Sequence, residues 1–169
     1  MKPDFQNYAF VALGANAGKH PREAISQAMT SALFISDAPI WRSSLWKTEP
    51  VDCPPGSPKF LNAVVGFLPQ PHETPESLLK KTQDLEKQWG RVPKKVLNEP
   101  RPLDVDLIMF GSATRQTPDL ILPHPRAHTR RFVLQPLSEI APELILPGQT
   151  QTVAQLLAAL PAGPGCVKI

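Results

Sequence analysis

Two aspartates one residue apart, Asp104 and Asp106, have the type and spacing to do chemistry. They lie in a stretch where Leu103, Val105, Leu107 and Met109 alternate with Asp104, Asp106, Ile108 and Phe110. That alternation predicts a strand, because side chains of a strand point to opposite faces with a period of two. Both carboxylates then share one face, roughly 7 Å apart, and the other face is aliphatic and suits a core. Two carboxylates side by side repel each other and resist desolvation. A divalent cation between them removes the conflict. Magnesium takes one or two protein carboxylates and completes its octahedron with water and phosphate oxygens. Arg101, just before the strand, offers a planar fork suited to a phosphate. The plainer reading is a half-exposed strand with an acidic outer face, and Asp-x-Asp alone does not separate the two.

Other residues add to this pair. Arg91, Lys94, Lys95 and Arg101 make the preceding loop basic. Such a run is usually a solvated face, but beside two carboxylates it describes a clamp over a metal-bound polyphosphate. Asn62 stands between apolar neighbours in a strand-like run, Phe60 to Phe67. A buried amide needs partners, and this one suits either nearby backbone or the edge of a heterocycle. His124 and His128 are four apart, but Pro125 between them argues against a zinc-binding helix.

These residues need elements to hold them. Tyr8 to Leu13 reads as a first strand, running into a turn at Gly14-Ala-Asn-Ala-Gly18 that could bring amides near a phosphate or be only a turn. His20-Pro21 opens a helix with Ala24, Ile25, Ala28, Met29, Ala32 and Leu33 on one face. Pro39 to Lys47 predicts a second strand, with Trp41 and Trp46 on opposite faces. Residues 48–58 form a stiff proline-rich loop before the third strand at Phe60. Thr74-Pro75 caps a second helix, with Leu78, Thr82, Leu85 and Trp89 inward and a stop at Gly90. Gln83 and Glu86 lie off that stripe. After Gly111 the pattern predicts a helical stretch broken at Pro136, a closing helix from Thr152 to Leu160, and a loose tail. The order is strand, helix, strand, strand, helix, strand. That is an α+β, ferredoxin-like βαββαβ fold with a C-terminal helical appendix, helices on one face of an antiparallel sheet and the other face free.

The composition is that of an ordinary globular chain. Its 169 residues predict a single domain over 1–169, 41% apolar and 20% charged. The formal net charge of +3 suits an anionic small substrate and does not by itself argue for nucleic acid. Proline is high, 21 residues, against about 5% in average usage, and it clusters in the loops. Cys53 and Cys166 match no metal spacing. With no secretory leader and no membrane-length apolar run, the expected location is the cytoplasm, with no membrane partner.

Gly14-Ala-Asn16, Phe60-Leu-Asn62, Arg101-Pro-Leu-Asp-Val-Asp106 and Leu122-Pro-His-Pro-Arg126 through Arg130 and Phe132 occur in that order. Together they resemble the 6-hydroxymethyl-7,8-dihydropterin pyrophosphokinase family over nearly the whole chain. The resemblance implies transfer of pyrophosphate from ATP to the hydroxymethyl oxygen of a reduced pterin, releasing AMP, in folate biosynthesis. It implies that Asp104 and Asp106 hold two magnesium ions and that Phe60, Asn62 and Phe132 bind the pterin. Thr48, Glu49 and Val51 fall where the family's loop touches the pterin. Arg91, Arg101 and His124 match phosphate-binding positions, Gln83 and Glu86 nucleotide-side positions, and Arg130 a flexible basic residue near the site, on the ATP side. Asp104, Asp106, Arg91 and Arg101 make the expected catalytic set, in a monomer whose partners are ATP and the pterin. The chain departs from the family's usual residues at Ala15, Pro93, Asn98, Glu99 and Pro102. No cysteine, serine or lysine has the setting of a nucleophile, so direct in-line attack by the pterin hydroxyl is expected.

Two other readings remain at this level. RNA-recognition domains share the βαββαβ order and bind on the open face, but a pair of carboxylates there repels phosphate unless metal is bound, so no nucleic-acid partner is expected. A phosphotransferase with another acceptor would use the same aspartates.

Overall fold

The sheet is built around β1, Ala9–Ala15, whose apolar and small residues suit a strand covered on both sides. β4 (Phe60–Phe67) and β5 (Asp104–Phe110) flank it, both antiparallel. Beyond β4 lie two short strands, β2 (Trp41–Arg42) and β3 (Trp46–Thr48). α1 (Pro21–Met29) and α2 (Pro75–Gln88) make the two crossovers. The spatial order β5-β1-β4-β3 is the expected ferredoxin-like arrangement. The rest comprises a small pair β6 (Arg115–Gln116) and β7 (Ile121–Leu122), then α3 (Arg131–Ile140), α4 (Val153–Ala159) and β8 (Cys166–Lys168). This computed structural model describes every residue except 1, 2, 32, 33, 35, 94, 96, 98 and 164. Ala32, Leu33, Lys94 and Asn98 of the sequence reading therefore lie outside the described residues.

α2 shows how local sequence sets an element that the site later uses. Its first turn is closed by a reciprocal cap: Ser77 N donates to Thr74 Oγ1 at 3.0 Å and Thr74 N to Ser77 Oγ at 2.9 Å. Leu78, Thr82 and Leu85 are buried, as their spacing predicts. The helix ends where Gly90 takes φ +89, a left-handed conformation that glycine adopts without a Cβ penalty. Gly90 N then donates to Lys87 O and Arg91 N to Glu86 O, each at 3.0 Å. This paired closure turns the chain back and aims Arg91 at the end of β5.

Two apolar clusters share the sheet. On one side Ala9, Val11, Leu13, Val65, Phe67 and Val105 pack against α1 and α2. On the other, Phe10, Val64, Ile108 and Met109 pack against Val133, Leu134 and Leu137 of α3 and Val153 of α4. Fully burying one such Leu or Phe contributes about 1.5–3 kcal/mol. The second face is thus not wholly free: among the described residues the appendix covers one end and leaves the end bearing the aspartates open.

Four further expectations change. The stretch 39–47 is two strands, because the register shifts by one residue between Trp41↔Gly66 and Trp46↔Asn62. Ser43 sits in that break, where its hydroxyl accepts from Val64 N at 2.9 Å in place of a ladder carbonyl. The extra residue reverses the parity, so both tryptophans point to the appendix side. A second bulge, at Ile108, puts Met109 with Ile108 on the appendix side instead of with Leu107. Pro136 does not break α3: it removes one backbone donor, but its ring is buried in the middle of a ten-residue helix. The last residues are not a tail, since β8 pairs Cys166 with Thr48 and Lys168 with Trp46 and extends the sheet. None of the described helices is long and apolar enough to cross a membrane.

Candidate active site

Strand register places the chemistry. Gly14 of the central strand pairs with Asn62 on one side and with Asp104 on the other. Ala12, two residues earlier, pairs with Val64 and with Asp106. Partners across an antiparallel ladder share a face. Asn62 and Asp104 therefore stand in one row, two strand spacings or roughly 10 Å apart, with no side chain between them but the Gly14 hydrogen. A Cβ at Gly14 would come within 3.0 Å of Asn62 Oδ1. The small residues Gly14 and Ala12 make a floor between an amide and a carboxylate pair. Above this floor opens a cleft.

The acidic end is crowded with charge. Arg91 Nη1 donates to Asp104 Oδ1 at 2.9 Å and Arg101 Nη1 lies 3.2 Å from Asp104 Oδ2. Burial works against the Asp104 carboxylate, but the Arg101 charge and the Arg91 hydrogen bond outweigh it and hold its pKa below the usual carboxylate range. For Asp106 the Arg101 charge offsets the opposing effects only in part. Burial, and the negative charges of Asp104 and Glu86, push it up to about 7. All the donors here are hard oxygens, and two carboxylates are enough for magnesium, so the pair fits that ion.

The other end is neutral. Asn62 is buried and its Nδ2 donates to Thr48 Oγ1 at 2.6 Å, which fixes the amide and leaves Oδ1 toward Gly14. Phe60 and Phe132 both line the cleft, half-buried, with the Arg130 guanidinium 5.3 Å from the centre of the Phe132 ring. Val51 stands at the mouth, 48% exposed. Glu49, beside it, pairs with Lys59 at 2.8 Å.

Between the ends, His124 reaches the cleft from the loop after β7. The Ile108 bulge frees a carbonyl, and His124 N donates to it at 2.8 Å. Arg126 N donates to His124 Nδ1 at 3.2 Å, so that nitrogen is the acceptor and Nε2 carries the hydrogen. Burial, with the charges of Arg130 and Arg126, pushes His124 down to about 4. It is therefore a neutral donor at ordinary pH.

Of the residues singled out in the sequence, the cleft brings together Thr48, Glu49, Val51, Phe60, Asn62, Arg101, Asp104, Asp106, His124, Arg130 and Phe132. Arg91 joins them through Asp104. Gln83 is exposed on α2 and does not line the cleft. Glu86 does not line it either: its Oε1 accepts from Val105 N at 2.8 Å. The turn at Gly14 to Gly18 turns its amides inward, with Asn16 N and Ala17 N both donating to Arg101 O at 3.1 Å.

Asn16, named in the sequence only as part of the Gly14-Ala-Asn16 motif, has a structural task here. It is buried, accepts from Arg101 N at 2.9 Å and donates to Pro58 O at 3.2 Å, so it ties the two loops that border the cleft. Its place after Gly14-Ala15 was visible; partners 42 and 85 residues away were not. Asp52 and Cys53, also cleft residues, lie in a loop without periodicity to read.

Comparison with known proteins identifies the family. A family model described as 7,8-dihydro-6-hydroxymethylpterin-pyrophosphokinase matches residues 10–142. The chain is 33% identical over 150 residues to a 2-amino-4-hydroxy-6-hydroxymethyldihydropteridine pyrophosphokinase of Haemophilus influenzae, covering 88% of this chain and 90% of that one. A Pseudomonas aeruginosa protein of the same name is 35% identical over 153 residues, covering 90% and 91%. Among solved structures, Plasmodium falciparum HPPK-DHPS with pteroate superposes with a TM-score of 0.67 at 12% identity. That match covers 90% of this chain but 44% of the longer one, and at such identity it is a likeness of fold.

Proposed function

The chain belongs to the 7,8-dihydro-6-hydroxymethylpterin-pyrophosphokinase family, and on that premise we propose how its cleft divides between two substrates. It is a diphosphokinase of folate biosynthesis, moving the pyrophosphoryl group of ATP to the hydroxymethyl oxygen of the reduced pterin. We assign the pterin to the neutral end and the triphosphate to the charged end. The observation that carries this division is the row Asn62, Gly14, Asp104 across three strands. A flat ring fits over a floor without side chains. Asn62 then meets its polar edge, Phe60 and Phe132 its faces, and Thr48, Glu49 and Val51 its rim.

At the other end, Asp104 and Asp106 would hold two magnesium ions, which when bound neutralise phosphate charge and order the phosphate chain. Arg101 and Arg91 offer forks for phosphate oxygens. His124, kept neutral with hydrogen on Nε2, donates to a phosphate without adding charge. Arg130, stacked on Phe132, spans the junction of the two substrates. The pterin hydroxyl attacks the β-phosphorus in line and gives up its proton to solvent, while the bond from that phosphorus to the α,β-bridging oxygen breaks and the oxygen leaves with AMP. Little covalent chemistry falls to the protein, and positioning with charge neutralisation does most of the work. We take residues 1–169 to act as one domain, with no nucleic acid or membrane in the reaction.

The test is a pair of titrations. Asn62→Ala should weaken pterin binding while sparing the magnesium complex of ATP. Equal loss of both ligands would sink the division.

A further inference from the structure

Glu86 was expected beside the nucleotide, yet it is turned under the strand that bears the aspartates. One oxygen, Oε1, accepts from the backbone N–H of Val105, the residue between Asp104 and Asp106. The other, Oε2, lies 3.8 Å from Arg91 Nη1. Arg91 is also tied to Glu86 through the main chain, since its N–H closes the end of α2 on the Glu86 carbonyl at 3.0 Å. Both side chains are largely shielded, 18% exposed for Arg91 and 15% for Glu86. Arg91 thus has two carboxylates within reach of one nitrogen, Asp104 at 2.9 Å and Glu86 at 3.8 Å.

The arrangement poses a conflict. Asp104 has both oxygens occupied, Oδ1 by Arg91 and Oδ2 by Arg101. A cation held by Asp104 and Asp106 must take at least one of them. A guanidinium and a magnesium ion cannot share one carboxylate oxygen without strong repulsion at low local dielectric. Arg91 is anchored at its backbone and largely shielded, and its Nη1 also donates to Leu103 O at 3.3 Å, so it stays at the end of α2 when Asp104 is taken from it. Less than 1 Å of extra approach gives it Glu86 instead.

We propose that Glu86 is a positioning residue that receives Arg91 when a magnesium-bound triphosphate displaces it from Asp104. Its Oε1 meanwhile keeps Val105, and so the spacing of the two aspartates, fixed. Arg91 exchanges one carboxylate for another and keeps the rest of its fork for phosphate. The carboxylate pair is then closed by arginine when empty and opened at little cost on loading. This inference rests on the magnesium reading of Asp104 and Asp106.

The experiment is calorimetric titration of α,β-methylene-ATP with magnesium, which occupies the site without transferring the group, alongside steady-state AMP release. Glu86→Gln keeps an acceptor for Val105 and removes the charge for Arg91. It should weaken binding of the analogue about tenfold and raise the magnesium concentration for half-maximal AMP release by a similar factor. Pterin affinity and the melting temperature in EDTA should stay at the wild-type values. A purely structural role would instead lower the melting temperature and weaken both ligands together. Direct attraction between Glu86 and the cation would persist without Arg91, so Glu86→Gln is also made in an Arg91→Ala background. There the proposal predicts no further loss. An unchanged magnesium requirement in Glu86→Gln, or the same tenfold loss in the Arg91→Ala background, overturns it. Failure of the wild-type chain to bind the analogue with magnesium would instead count against the reading of the aspartates themselves.

Discussion

The two ends of the cleft hold their side chains in place by different means. At the Asn62 end the fixing is neutral: one short hydrogen bond to Thr48 and a bare glycine beside the amide. At the Asp104 end it is ionic, with Arg91, Arg101 and Glu86 around two carboxylates. A neutral end can be set before its ligand arrives, because the Asn62 amide is already held by Thr48. The charged end differs, because burial and its acidic neighbours push Asp106 up to about 7, which disfavours a second negative charge there. On the proposed division, one end would select by shape and hydrogen bonding and the other through the charge its co-substrate brings.

Breaking the charged end should have the largest effect. Asp104→Asn keeps the shape and removes a charge, so AMP release should fall by a factor on the order of 10² or more, as on losing one preorganised electrostatic contact. Steady-state turnover at saturating magnesium checks this.

The neutral end should respond next. In Asn62→Ala the pterin's polar edge loses its partner and Thr48 loses its donor, which weakens pterin binding by about tenfold or somewhat more. Turnover at saturating pterin should change much less. Gly14→Ala asks the same question of the floor: its methyl would crowd Asn62 Oδ1 and occupy space needed by the ring. We expect a smaller loss of pterin affinity, roughly fivefold, from the cost of moving one amide, with binding of the ATP analogue unaltered. Titration of each ligand separately reads both variants.

The smallest effect lies at the boundary. His124 is held down to about 4 by burial and by Arg130 and Arg126, against an ordinary value of 6.5. Below 6.5 the unfolded chain takes up this proton and the folded chain does not. Stability is therefore fully present above pH 6.5, falls as pH is lowered, and this loss is complete near pH 4. Replacing His124 with Gln should flatten that part of a pH series of thermal melts, while leaving the activity profile above pH 7 unaltered in shape. A profile that loses an ionisation near 6.5 in the variant would show His124 charged in the working enzyme.

The charged end was legible in the sequence because its signal is local. Two aspartates at a spacing of two declare a shared face, and β5 from Asp104 keeps that alternation up to the Ile108 bulge. The helix α2 was legible for the same reason, from Thr74 at its cap to Gly90 at its stop. The bulges were not, since a single inserted residue leaves no composition mark, yet one of them frees the Ile108 carbonyl that seats His124. The contacts of Asn16 and Glu86 are not legible because they run to backbone groups distant in the chain. β8 escaped because three residues are too few for periodicity, and its pairing is decided by the open edge of β3. The covered half of the sheet was missed likewise: nothing in α3 itself says which face of the sheet it will meet.

The division of the cleft is tested most directly in Asp106→Asn, by measuring pterin affinity and steady-state AMP release on the same preparation. Asp106 belongs to the charged end alone. The account predicts that pterin affinity stays within about twofold while turnover falls by a factor on the order of 10². Near-normal turnover, or a loss of pterin affinity as large as the loss of turnover, would contradict it.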